Sequence, residues 1–378
     1  MKSVLFLISS LLPATLLAFT AVSNGPRKTS SFALAAMSSR RGFFGETTTA
    51  AGLVVGAATT VAPSKARAAE IYSPPPNSLT GQIMVITGAS TGLGLESAKR
   101  LAAAGATVVL TTRTENKGEM AIQAVQKAVP NAKAYYVLLD LDDLDSVKGF
   151  KERLEAKLGK EAQINVLMNN AGVMAVPDLQ LTKDGYERTF QSNHLGHFVL
   201  TSTLIGKLAS HAKVINVSSQ AYNFAAKGLE FDNLNGEKSY GPWSSYGQSK
   251  LANIAFTQEL QKRATAAGRS IEVYSLHPGA VQTDLARNMY GPDKWETMKV
   301  EGLSGWNKIL METMSKFILT VEEGASTQVY LAANNVADHA GEFYDNMKPT
   351  KVMVPISAEA SERLWSLSEK LGKVDFKL

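Results

Sequence analysis

Three glycines fall within Thr87-Gly88-Ala89-Ser90-Thr91-Gly92-Leu93-Gly94, directly between the apolar run Ile83-Met84-Val85-Ile86 and the helix-forming Leu95-Glu96-Ser97-Ala98-Lys99-Arg100-Leu101. A strand that passes at once into a helix through such a loop restricts the chain to few architectures. Gly88 and Gly92 can take positive φ and carry no Cβ to block a pyrophosphate. Gly94 lets the helix pack on the sheet, and the helix N-terminus offers N–H donors and partial positive charge. Placement between strand and helix makes the match informative, and it predicts a dinucleotide seat that also includes Ser90 and Leu93.

The rest of the chain keeps the same rhythm. Strands are predicted at Ile83 to Thr87, Thr107 to Thr112, Ala134 to Asp140, Asn165 to Asn169, Val214 to Ser218 and Ile271 to Leu276. Helical patterns lie between them, near 93–104, 117–129, 145–159, 185–209 and 245–266. Nearly all-apolar strands separated by helices imply one α/β domain, a Rossmann-type doubly wound parallel sheet with helices on both faces. Ligands of such sheets bind beyond the carboxyl ends of the strands, where strand order reverses.

The net charge of +5 raises the question of nucleic acid. Residues 1–68 hold seven basic residues and one acid, Glu46, which leaves 32 basic against 33 acidic residues in the remainder. The body therefore gives no electrostatic case for nucleic acid or an anionic membrane, and no later run is long enough for a stable membrane span. The absence of cysteine removes disulfides, thiolate metal sites and cysteine nucleophiles. His194 and His197, three apart, could share one helix face and hold a metal, but no acid or third histidine stands close by, and no metal site is expected.

The first 68 residues read as addresses. Met1 to Ala18 has signal-peptide character, Phe19 to Ser39 has the Ser- and Ala-rich, acid-free composition of a transit peptide, and Arg40-Arg41 precede a weakly apolar stretch that ends in Ala66-Arg67-Ala68. That stack resembles leaders sent to the thylakoid lumen of a secondary plastid, with the twin arginines as an export signal; the alternative is an ordinary transit peptide and the plastid stroma. The expected organisation is a leader over 1–68, a linker over 69–80 with Pro74-Pro75-Pro76, and the catalytic domain over 81–378.

The loop spacing T-G-x-x-x-G-x-G, together with later motifs in the same order, resembles the short-chain dehydrogenase/reductase family over roughly residues 80–345. Several contacts follow from that resemblance. Where NAD-preferring members carry an acid after the second strand, this chain has Thr112-Arg113, and a guanidinium there offers a fork of donors to a 2′-phosphate, favouring NADP(H). Asp140 and Leu141 resemble the adenine contact. Asn169-Asn170-Ala171-Gly172 resembles the turn that passes the cofactor, with Asn170, Ala171 and Gly172 as contacts. Pro278 and Gly279 resemble the turn beside the nicotinamide, with Thr283 placed to reach its carboxamide or the diphosphate. Asp143 reads as surface and capping charge.

Hydride transfer to a carbonyl needs a proton donor at the oxygen. Tyr246 and Lys250, four apart, share a helix side, and a nearby ammonium together with a cationic nicotinamide favours the phenolate and lowers its ordinary value near ~10. In the family this Y-x-x-x-K pair is the acid/base and its helper, and both also touch the cofactor. The serine of the preceding strand is assigned to Ser219, with Ser218 as the structural cap, and Asn193 matches the residue whose carbonyl holds a proton-relay water. The 27 residues from Ser219 to Tyr246 and the stretch Asn193-His194-Leu195-Gly196-His197-Phe198 resemble retinol dehydrogenases and protochlorophyllide reductase-like carbonyl reductases.

An apolar substrate lid is expected over 285–320, from Trp295, Met298, Trp306, Leu310, Met311 and Met314. The reading is thus an NADP(H)-dependent oxidoreductase acting on a lipophilic carbonyl or alcohol, with a homo-oligomer left open. Two alternatives stand beside it: a protochlorophyllide reductase-like enzyme, disfavoured by Asn170 where a cysteine is expected, and a non-catalytic NADPH-binding or redox-sensing module.

Overall fold

A computed structural model describes residues 70–281 and 319–378. Expectations for the leader, for Thr283 and for the lid lie outside these residues. Eight strands form one sheet in the order β3-β2-β1-β4-β5-β6-β7-β8. They are β1 Ile83–Ile86, β2 Thr107–Thr112, β3 Ala134–Leu138, β4 Ile164–Asn169, β5 Leu208–Val217, β6 Glu272–His277, β7 Phe343–Asp345 and β8 Lys348–Pro349. All neighbours are parallel except β7 and β8. The order reverses between β1 and β4, so the loops that follow these strands open at one crevice.

Side-chain alternation explains why both faces are covered. Val85, Val109, Leu167, Val214 and Val273 point into one core cluster. It is closed by α3 Leu144–Lys148, α4 Phe150–Leu158, α5 Gly196–Leu204, α6 Pro242–Ala266 and α8 Ala358–Gly372. Met84, Ile86, Val108, Leu110, Val166 and Ile215 point the other way, beneath α1 Gly92–Ala103, α2 Glu115–Ala128 and α7 Val321–Ala333. Residues 71–79 are bound to this second layer: Tyr72 N–H donates to Ser326 Oγ at 3.1 Å, and Arg100 donates to the Tyr72 carbonyl at 2.9 Å.

The structure differs from the sequence reading in several places. The predicted helix over 145–159 is broken at Gly149, and Asp143 caps its first part by accepting from the Asp145 and Ser146 N–H groups. The predicted strand through Asp140 stops at Leu138, because the Asp140 carboxylate accepts from Asp142 N–H and turns the chain. The predicted helix over 185–209 is a helical turn at Arg188–Phe190, a π-turn at Gln191–Leu195, then α5 and a short 3₁₀ turn, and residues from Leu208 belong to β5. Leu204, Leu208 and Ala212 repeat at helical spacing, but only Leu204 is helical; Leu208 and Ala212 serve the same core from an extended chain, with a register irregularity between Ile164 and Val166. The hairpin β7–β8 was not foreseen: its strands are two and three residues long, joined through Asn346 and Met347 at φ 47° and 59°.

Candidate active site

The glycine loop behaves as its spacing implies. Gly88 and Gly92 have φ of 62° and 56°, conformations that favour glycine. A Cβ on Gly94 would stand 2.6 Å from Asn170 Nδ2 and 2.8 Å from the Gly88 carbonyl oxygen, so loop and turn interlock. Thr91 starts α1 without a side-chain cap, which leaves the helix N-terminus to an anion from outside. Ser90 and Leu93 are half-buried in the same loop. These features fit the pyrophosphate of a dinucleotide.

Thr87 joins the two loops of the crevice. Its hydroxyl accepts from the backbone N–H groups of Asn170 and Ala171, both at 2.9 Å, and Asn170 Nδ2 donates to the Thr87 carbonyl at 2.7 Å. Arg113 stands exposed at the end of β2, with no side-chain hydrogen bond among the described residues. Asp140 and Leu141 follow β3; the Leu141 side chain is buried, and its carbonyl accepts from Gln191 Nε2 at 3.2 Å. Pro278 and Gly279 follow β6, with Gly279 at φ 87°. Just beyond, Val281 forms a parallel bridge with Leu319.

Tyr246 and Lys250 lie in the first half of α6 and are 3% exposed each. Burial pushes the Tyr246 phenol up to about 12, against a smaller opposite effect of the Ser219 hydroxyl beside it. Burial also pulls Lys250 down to about 7. The expected lowering of the tyrosine by its lysine and a cationic nicotinamide concerns the loaded site; in the protein alone desolvation dominates, and Lys250 Nζ lies 5.5 Å from the ring centroid. Nζ donates to the Val217 carbonyl at 3.0 Å.

Asn193 is fully buried in the π-turn. Its carboxamide grips the turn after β4: Oδ1 accepts from Val173 N–H at 2.8 Å, and Nδ2 donates to the Val173 carbonyl at 3.0 Å and to Ser249 Oγ at 2.9 Å. A Cβ on Gly172 would lie 3.0 Å from Asn193 Oδ1 and 3.6 Å from Lys250 Nζ, so turn, asparagine and lysine converge. The capping expected of Ser218 is done by Ser219. Ser219 caps the 3₁₀ turn Gln220–Ala225 by accepting from Ala221 N–H at 3.1 Å, whereas Ser218 Oγ donates to the Lys250 carbonyl at 2.8 Å.

Two features escaped sequence reasoning. Trp243 lies edge-on to Tyr246, ring centroids 6.3 Å apart, and 5.7 Å from Phe224, forming an aromatic shelf beside the phenol. His197 is buried between Thr87 and Asn193, with both ring nitrogens in hydrogen bonds. No cluster of metal-ligating side chains occurs among the described residues, nor any helix long and apolar enough to cross a membrane.

A doubly wound sheet, a glycine loop at its switch point and a buried Tyr–Lys pair at the same crevice define a nucleotide-dependent oxidoreductase fold. The chain belongs to the short-chain dehydrogenase family, whose sequence profile matches residues 82–292. It is 37% identical to bovine retinol dehydrogenase 12 over 299 residues, 78% of this chain and 87% of that protein. It is also 32% identical to short-chain dehydrogenase TIC 32 A, chloroplastic, from Brassica napus, over 76% of this chain and 87% of the relative. Among solved structures, an uncharacterized protein from Mycobacterium paratuberculosis aligns with TM-score 0.62 and 32% identity, covering 82% of this chain and all of that one. The fold is shared, at TM-score 0.53, with a landomycin C-6 ketoreductase solved with bound NADP, at 23% identity over 71% of this chain and 96% of that one. The protein is an oxidoreductase acting on CH–OH and C=O groups.

Proposed function

We propose that the protein is an NADP(H)-dependent reductase or dehydrogenase of apolar carbonyl compounds and alcohols, with Tyr246 as the acid/base. The observation that carries this reading is the burial of Tyr246 as a neutral phenol against Ser219 and Lys250, at the crevice beneath the glycine loop. A reduced nicotinamide dinucleotide seated on Gly88, Ser90, Gly92, Leu93 and Gly94 supplies the hydride. Asn170, Ala171 and Gly172 would hold it between β1 and β4, Asp140 and Leu141 would contact its adenine, Pro278 and Gly279 would contact its nicotinamide, and Arg113 would pair with the 2′-phosphate; a contact from Thr283 rests on the sequence resemblance alone.

As hydride reaches the carbonyl carbon, Tyr246 gives its proton to the carbonyl oxygen while Ser219 holds that oxygen. The phenolate is then reprotonated along a path past Lys250 and the Asn193 carbonyl. Oxidation of the alcohol runs the same steps in reverse. The aromatic shelf of Phe224 and Trp243 supports an apolar substrate, as does its similarity to retinol dehydrogenase 12.

The test is NADPH oxidation by the protein against a panel of quinones, aldehydes, retinoids and ketones, beside Tyr246→Phe. Activity lost in the variant is the expected result. If both proteins bind NADPH and neither turns over, the enzyme reading fails and the NADPH-binding module takes its place. The leader composition and the chloroplastic relative support a plastid location, and the paired Arg40 and Arg41 support the thylakoid lumen within it.

A further inference from the structure

The hydroxyl of Thr87 has two lone pairs and one proton to dispose of. Both lone pairs are taken, by the N–H groups of Asn170 and Ala171 at 2.9 Å each. Its proton must therefore be donated, and the nearer acceptor is His197 Nε2 at 2.9 Å, against 3.4 Å to the Met168 carbonyl. An Nε2 that accepts carries no proton, so the neutral ring holds its proton on Nδ1. That nitrogen lies 2.9 Å from the Asn193 carbonyl oxygen, to which it donates. Full burial keeps the ring neutral, with its pKa pulled down to about 4 by desolvation. The tautomer thus follows from hydrogen-bond accounting, without any assumption about the reaction.

We propose that His197 is a positioning residue, a ring held as the Nδ1–H tautomer that ties the Asn193 carbonyl to Thr87 and so to both loops of the crevice. The proposal rests on the preceding reading that these loops seat the cofactor and that the Asn193 carbonyl borders the proton path. Asn193 needs such a partner because it sits in a π-turn, where Gly196 N–H reaches back five residues to the Gln191 carbonyl and the regular ladder is displaced. The imidazole fixes the direction of this carbonyl from outside the helical ladder. Thr87, Asn193 and His197 are each no more than 1% exposed, so water does not compete for these bonds.

Nitrogen-15 spectra of the histidine rings test the tautomer in the unmodified protein, with the His197 resonances identified by their loss in His197→Gln. Shifts of an Nδ1–H ring are expected, and an Nε2–H ring overturns the proposal. Two conservative variants then separate the ring's bonds. In His197→Asn the amide nitrogen can replace Nδ1 toward Asn193, and in His197→Gln the amide oxygen can replace Nε2 toward Thr87. The asparagine variant is expected to weaken NADPH binding about tenfold with kcat kept within about threefold, since one buried hydrogen bond is worth roughly that factor. The glutamine variant is expected to keep NADPH affinity and lose about tenfold in kcat, with an altered pH profile of kcat. Parallel losses in both parameters for both variants, or wild-type behaviour of both, would mean a merely structural ring and overturn the proposal. A fully active Tyr246→Phe would instead refute the catalytic reading while leaving the ring spectra and NADPH affinities to decide the role of His197.

Discussion

Gly94 and Asn170, 76 positions apart in the chain, meet so closely that a methyl group on the glycine would stand 2.6 Å from the asparagine amide nitrogen. The same Cβ would crowd the Gly88 carbonyl at 2.8 Å and Ala89 Cα at 2.9 Å, and backbone cannot swing aside as a side-chain tip can. Gly94→Ala is therefore expected to push the loop after β1 away from the turn after β4. We expect a stability loss of about 1–3 kcal/mol and NADPH binding weakened by more than about tenfold. Calorimetry and fluorescence titration measure both, and unchanged affinity would show that this contact does not shape the seat.

Arg113 tests the cofactor choice. Its side chain is exposed at the carboxyl end of β2, beside the loop that begins at Thr87, and no partner among the described residues competes for it. Arg113→Ala should weaken NADPH by about 1–3 kcal/mol, the range for a charge-assisted contact, and leave NADH nearly unchanged. Equal losses for the two cofactors would remove the 2′-phosphate argument.

What could be read beforehand divides by the distance over which the information is carried. The glycine loop and the Tyr246–Lys250 pair are local patterns, and the structure brings their elements to one crevice because the strand order reverses beside β1. The π-turn at Gln191–Leu195 could not be read, because its residues keep ordinary helical character and the displaced hydrogen bonds depend on Val173, Ser249 and Thr87. Assigning the cap to Ser218 failed for a similar reason. Which serine faces the 3₁₀ turn is decided by the pleat of β5 against α6, where Ser218 is drawn inward to the Lys250 carbonyl. The phenol shift also needed the fold, since only burial decides whether desolvation or the neighbouring ammonium dominates.

Trp243 offers a test of substrate class that does not touch the proton donor. Its ring contacts both Phe224 and Tyr246, with centroids 5.7 and 6.3 Å away, and is itself only half-buried. Trp243→Ala should raise KM for an apolar carbonyl by about tenfold or more through lost apolar contact, with a smaller change in kcat. The same increase for a small polar aldehyde would speak against an apolar subsite.

The leader can be examined apart from catalysis. A fluorescent fusion of residues 1–80 is expected to reach the thylakoid lumen of a secondary plastid, and the version carrying Arg40→Lys and Arg41→Lys should stop in the stroma. Lumenal delivery of the altered fusion would refute the twin-arginine reading, and stromal delivery of both would establish an ordinary transit peptide.

His194 makes an acid-stability prediction whose sign is set by burial. The ring is packed among Phe190, Phe198 and Phe256, and its Nε2 is 2.9 Å from Ser368 Oγ. Desolvation pulls its pKa from 6.5 to about 3, as it pulls that of His197 to about 4. Between those values and the ordinary one, the unfolded chain binds protons that the folded chain refuses. Stability is therefore undiminished by these groups above pH 6.5 and falls as pH drops toward 4, by up to roughly 1 kcal/mol per pH unit for each ring. In His194→Phe the aromatic packing is largely kept while one titrating group is removed. The variant starts lower at pH 7 through loss of the Ser368 bond, and its unfolding free energy should decline about two-thirds as steeply between pH 6.5 and 5, because His197 and His277, both pulled down to about 4 by burial, remain. Denaturant titrations at a series of pH values give the slope directly, and a slope equal to that of the wild type would mean that His194 titrates alike in the folded and unfolded chain, so that burial does not depress it.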